Sequence, residues 1–146
     1  MNAWEAAAVL VALVVAATVG GLLWRRTTGR VRTARQTRIV TAAEVGATSF
    51  GSAATLLQFS TEFCAPCTAT ARILSGIADE RPGVAHVDVD LTHRPDLASR
   101  FGVLQTPTTL VLDTSGAIRA RIGGAARADE VRITIDQITG SDHVNA

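Results

Sequence analysis

Cys64 and Cys67 are the only cysteines in the chain, and they stand two residues apart in Cys64-Ala65-Pro66-Cys67. They follow an apolar run, Thr55-Leu56-Leu57-Gln58-Phe59, that reads as a buried strand, and helical periodicity follows them. The first sulfur is therefore expected at a helix N-terminus. There, orphan amide N–H groups and the positive dipole end favour thiolate over thiol. The second lies one turn on, close enough to bond to the first. This pattern suits thiol–disulfide exchange, which runs through a mixed disulfide and needs one accessible thiolate and one neighbour to release the partner. Pro66 stiffens the intervening turn, and its missing N–H costs nothing in a first helical turn.

Other uses of the pair fit less well. Tetrahedral zinc wants four ligands, and there is no second cysteine pair. His86 alternates onto the polar side of a strand, His93 falls in a polar loop and His143 in the tail, so no metal is expected. A purely structural disulfide over so short a loop stabilises little. Glu62 reads as a solvated loop acid, and Asp88 and Asp90 as carboxylates at a sheet edge and strand end.

Strands and helices in alternation must position the thiols. Thr55 to Ser60 is a strand, and Pro66 to Glu80 a helix with Ile73, Leu74, Ile77 and Ala78 on one face. Val84 to Asp90 alternates apolar and polar residues as a second strand. Pro95 to Phe101 is a short helix stopped by Gly102. Thr108 to Asp113 is a central strand, and Ala117 to Ile122 its hairpin partner. Arg127 to Ile138 closes the domain as a helix. Ile39-Val40 opens a short edge strand, and at most a brief helix fits Ala42 to Val45. The order implies an α/β fold, a mixed sheet covered by helices.

The N-terminal segment is of another kind. Ala6 to Trp24 runs 19 residues without a charge, about 28 Å as a helix, which matches the hydrocarbon core of a bilayer. Glu5 precedes it and Trp24-Arg25-Arg26 closes it, the reverse of a cleaved signal peptide. Arg25, Arg26, Arg30, Arg32, Arg35 and Arg38 crowd its C-terminal flank without an acid. Such residues stay in the cytoplasm and attract anionic headgroups. Beyond Val40, 8 arginines face 12 acids, a net charge near −4 that excludes a nucleic-acid partner. Exclusive use of arginine over lysine, with abundant alanine, implies a GC-rich, bacterial coding sequence. The organisation read from this is a tail over 1–5, a transmembrane helix over 6–24 and a basic juxtamembrane linker over 25–38. A domain over 39–140 and a flexible tail over 141–146 follow.

Phe59 to Cys67 (FSTEFCAPC), Thr106-Pro107-Thr108-Thr109-Leu110-Val111-Leu112 and Ile122-Gly123-Gly124 together resemble the thioredoxin family. The first is similar to its strand end and active site, the second to its cis-proline loop, the third to a glycine after the next strand. The resemblance covers 39–140 and implies a thioredoxin-like fold. It implies that Cys64 attacks and Cys67, buried, resolves, with Phe63, Pro66, Thr106, Pro107 and Gly123 shaping the substrate groove. It also implies protein thiols and disulfides as partners, and no cofactor beyond the Cys64–Cys67 disulfide. Six residues before the nucleophile, where thioredoxins carry a buried acid, stands Gln58. An amide cannot accept the resolving thiol's proton, so slower transfer or reliance on water is expected. Ser60 and Phe63 stand where tryptophans are common.

The resulting expectation is a single-pass membrane protein with a cytoplasmic disulfide-exchange domain. Two alternatives remain open at this point: a scaffold module with little turnover, favoured by Gln58, and an exported-side domain serving envelope or cytochrome assembly.

Overall fold

The computed structural model describes residues 2–27, 31–33 and 38–142. Helix α1 (Ala3–Thr27) contains the apolar span and is solvent-exposed along Trp4–Leu23, with none of that window buried against the domain. The remaining elements are β1 (Val31–Thr33), α2 (Ala42–Val45), β2 (Ala54–Ser60), α3 (Ala65–Glu80), β3 (Val84–Asp90), α4 (Pro95–Arg100), β4 (Thr108–Leu112), β5 (Ile118–Gly123) and α5 (Ala128–Asp142).

Five strands form one mixed sheet in the order β1-β5-β4-β2-β3, with only β2 and β3 parallel. β2 is an interior strand buried at every position, which is why its sequence shows no apolar–polar alternation. Its odd positions, Leu57 and Phe59, pack with Leu110 and Leu112 under α2 and α4, through Val45, Leu97 and Phe101. Leu56, Val111 and Ile122 point the other way, beneath Leu74 and Ile77 of α3 and Val131 and Ile135 of α5. Truncating one such fully buried Leu or Ile to Ala costs about 2–5 kcal/mol, because the transfer energy is lost and a cavity remains.

The β4–β5 turn is held by Asp113, which is 3% exposed and accepts from Ser115 N and Oγ, Ala117 N and Arg119 Nε. Gly116 in this turn has φ +81°, and a Cβ there would lie 2.3 Å from the Val40 carbonyl oxygen. Only glycine fits.

The N-terminal edge differs from the sequence expectation. Val31–Thr33, inside the stretch read as a linker, is the edge strand and pairs antiparallel with β5. Ile39, read as the start of an edge strand, makes only an isolated bridge to Ala117. Three residues among arginines give no periodic signal, so only the pairing partner reveals the strand. Arg30, Arg35 and His143 lie outside the described residues.

Candidate active site

β2 delivers the chain to the Thr61-Glu62-Phe63 loop at the edge of α3, and Cys64 is the N-cap of that helix. Its Sγ accepts the Cys67 N–H at 3.2 Å, satisfying one of the donors a helix start leaves open. Pro66 occupies the first turn, where a missing N–H is harmless. Cys64 and Cys67 are joined in a disulfide with Cα atoms 5.2 Å apart. Cys67 is 4% exposed, while Cys64 is only partly covered and opens onto a cleft of about 720 Å³. Ser60, Glu62, Phe63 and Asp88 line the same cleft. A thiol exchange centre needs this inequality, one sulfur reached by solvent and one behind it.

Phe63 has φ +56° and its side chain is fully exposed. A left-handed conformation costs an L-residue about 1–2 kcal/mol. The loop around it is tied down by Glu62 N, which donates to Thr92 Oγ1 at 2.9 Å, while Thr92 is held by Asp90. The hydrogen bonds from Thr92 keep the Asp90 carboxyl below its usual pKa.

The Thr106–Pro107 peptide bond is cis and Pro107 is buried. Thr106 reaches the dithiol loop through a 3.2 Å hydroxyl contact with Thr61. Gly123 sits opposite Thr108 in the β4–β5 ladder, and a Cβ on it would lie 2.7 Å from Gln105 Nε2. Gly124 N donates to the Pro107 carbonyl at 2.8 Å, fastening the strand end to the proline loop. Thus Phe63 and Pro66 flank the cysteines along the chain, Thr106 meets the loop that precedes them, and Pro107 is fastened to Gly124, whereas Gly123 lines a neighbouring groove with Arg32, Leu104, Gln105 and Arg121.

Three polar contacts behind the cysteines were not legible beforehand. Gln58, fully buried, donates Nε2–H to the Cys67 carbonyl at 3.0 Å. Its Oε1 then faces His86 Nε2 at 3.2 Å, which makes that ring nitrogen the donor. Ser60 Oγ donates to Asp88 at 2.7 Å. His86, read as lying on the polar side of its strand, thus faces the buried Gln58 amide. It is half-buried against β2, and burial lowers its pKa against the opposing pull of the Asp88 charge. Alternation along one strand shows which residues share a face, but not which face a helix covers. Asp88 does lie exposed on an edge strand. Among the described residues, no group of three or more His, Cys, Asp and Glu is placed to hold a metal ion.

The sequence profile of the thioredoxin family matches residues 43–137, well over half of the chain. The chain belongs to the thioredoxin family. Thioredoxin C-3 of Corynebacterium nephridii is 30% identical over 82 residues, 56% of each chain. The thioredoxin of Chlamydia muridarum is 30% identical over 77 residues, 53% of this chain and 76% of that one. The chain spans little more than half the length of Thioredoxin C-3 and of Thioredoxin H5 from Oryza sativa, at 56% and 51%. Among solved structures, a thioredoxin from Nicotiana alata superposes with a TM-score of 0.52 at 25% identity, covering 60% of this chain and 74% of that one. Fasciola hepatica thioredoxin does so with a TM-score of 0.52 at 24% identity over 60% and 83%, a likeness of fold. The thioredoxin-like architecture is the one described above, a mixed sheet flanked by helices.

Proposed function

We propose that the protein is a membrane-tethered thiol–disulfide oxidoreductase that exchanges disulfides with protein partners through Cys64 and Cys67. The observation that carries this reading is the unequal pair itself: Cys64 as helix N-cap at the mouth of a cleft, Cys67 buried one turn behind and already bonded to it. In the reducing direction the Cys64 thiolate attacks a substrate disulfide, one new S–S bond forms, and a substrate thiolate leaves. Cys67 then gives up its proton and attacks Cys64 Sγ, releasing the second substrate sulfur as a thiolate. The substrate gains two electrons and, in total, two protons, and the Cys64–Cys67 pair is oxidised. The reverse sequence donates a disulfide. The helix dipole of α3 favours the Cys64 thiolate in either direction. Phe63, Pro66, Thr106 and Pro107 serve as walls and backbone contacts for an extended partner segment, while Gly123, in the adjoining groove, precedes the Gly124 N–H that fastens the proline loop. The dithiol chemistry needs no metal or organic cofactor.

The tether is α1. An apolar helix that packed into the domain would be buried, and Trp4–Leu23 is not, which supports a bilayer span. The arginines on its C-terminal flank favour a cytoplasmic domain. An exported domain is the competing topology. A membrane-impermeant thiol reagent that rapidly modified Cys64 in intact cells would establish it in place of the cytoplasmic one.

Activity is tested by insulin reduction with the full-length protein in detergent. Turnover should vanish in Cys64→Ala, and Cys67→Ser should accumulate mixed disulfides through Cys64. A wild-type rate equal to that of Cys64→Ala would leave the scaffold reading, which the neutral Gln58 favours.

A further inference from the structure

β1 enters the sheet at a particular end. Val31 pairs with Ile122, and the next residue of β5, Gly123, lies opposite Thr108, directly after Pro107. The strand that follows the membrane helix thus begins at the end of the sheet that carries the dithiol. Three residues, 28–30, separate Thr27 from Val31, and so short a connection reaches at most about 14 Å. From β1 to β2 there are three strand spacings, about 14 Å across the sheet.

The surface at that corner is basic. Arg32 and Arg121 are direct cross-strand partners, an arrangement that normally destabilises a sheet because like charges face each other. Among the described residues neither meets a carboxylate: the Arg121 guanidinium donates to the carbonyls of Phe101 and Gly102. Nearby, Arg38 and Arg100 share the single carboxylate of Glu44. Leu104, 96% exposed, rims the groove that holds Arg32 and Arg121. The acids Asp88 and Asp90 stand on β3, at the opposite edge of the sheet. At the β1 edge Glu130 of α5 accepts from Val31 N and pairs with Arg127, on the sheet face where Val31 packs, so the uncompensated positive charge is confined to the other face, which carries Arg32 and Arg121.

We propose that the Arg32–Arg121 face, with Leu104 at its rim, docks on anionic lipid headgroups and holds the Cys64–Cys67 end at the bilayer surface, so that the disulfides exchanged belong to membrane proteins close to the lipid boundary. This rests on the span and the dithiol chemistry proposed above. Exposed Arg32, beside the half-buried Arg121 and without an acid, is what an anionic surface neutralises, strengthening attachment about fivefold near such a membrane. An exposed leucine beside them inserts among the headgroups instead of facing water.

The test uses the full-length protein carrying Leu104→Trp with Trp4→Phe and Trp24→Phe, reconstituted in vesicles containing brominated phosphatidylcholine. Adding phosphatidylglycerol should deepen the quenching of the new tryptophan at least twofold. Arg32→Glu with Arg121→Glu should return it to the level in phosphatidylcholine alone. The milder pair Arg32→Gln with Arg121→Gln should give an intermediate value, and turnover of a soluble disulfide in every variant reports that the domain is folded. In the same vesicles a single-span peptide with its disulfide a few residues from the membrane should be reduced about fivefold faster than one on a long spacer, an advantage the glutamate pair removes. Equal quenching with and without phosphatidylglycerol, or equal rates for both peptides, overturns the proposal. If the wild type reduces no soluble disulfide, the dithiol reading fails, and the quenching still decides the docking.

Discussion

Gln58 Nε2 donates to the carbonyl oxygen of Cys67 at 3.0 Å, beneath the first turn of α3. A neutral amide thereby holds the backbone of the resolving cysteine without being able to take its proton. Its other end rests on His86 at 3.2 Å, so one buried side chain links the active-site helix to the edge strand. Gln58→Leu would leave the His86 N–H and the Cys67 carbonyl without this partner. That should lower stability by about 1–3 kcal/mol, read as a drop in the urea midpoint of the oxidised protein.

The same contact gives stability a pH dependence. An unfolded histidine titrates near 6.5, whereas burial brings folded His86 below that, with Asp88 opposing the shift. As pH falls through the unfolded value, the unfolded chain binds more protons than the folded one, and stability declines. Above about pH 7 the contribution is complete. The urea midpoint should fall on acidification, and His86→Gln should flatten that slope. An unchanged slope in the variant would assign the effect to other groups.

Asp88 is the carboxylate nearest in topology to the missing buried acid. It is the register partner of Gln58, accepts from Ser60 Oγ, and lines the cleft that holds both cysteines. Asp88→Asn should slow resolution of the mixed disulfide about tenfold, less than the ~10²–10⁴ of a fully positioned acid–base group, because Asp88 is exposed. Alkylation of Cys64 by iodoacetamide should keep its wild-type rate. Stopped-flow resolution as fast as wild type would remove Asp88 from the proton path.

Phe63 combines a φ of +56° with full exposure, so its ring earns nothing from packing within the domain. Phe63→Gly relieves the left-handed strain but adds unfolded-state freedom, leaving stability within about 1 kcal/mol. The Michaelis constant for a protein disulfide should rise while turnover of a small aromatic disulfide holds. A large loss of stability, or an unaltered Michaelis constant, would contradict a substrate-contact role.

The edge strand predicts where a soluble fragment should start. A fragment from Ile39 lacks β1, including Val31, which packs on the Ile122 side of the core. It should be less stable than one starting at residue 28 by about 1–2 kcal/mol, the ladder bonds offset by the entropy of ordering three residues. Chemical denaturation of both fragments measures this, and equal midpoints would mean the strand contributes nothing.

By itself the amino-acid order determined the apolar span, the strand–CAPC–helix unit, the α3 and α5 faces and the alternation of β3. Each is a local pattern whose period or turn chemistry is carried by neighbours in sequence. At Ala42–Val45 the order allowed at most a short helix, and the structure forms it with Thr41 as its cap. Only the tertiary structure decided that Val31–Thr33 joins the sheet, that His86 turns inward onto Gln58, and that Asp88 stands in the cysteine cleft. These depend on which strand lies beside which, and on which face a helix covers. Pairing across 89 residues, as between Arg32 and Arg121, leaves no periodic mark on either segment.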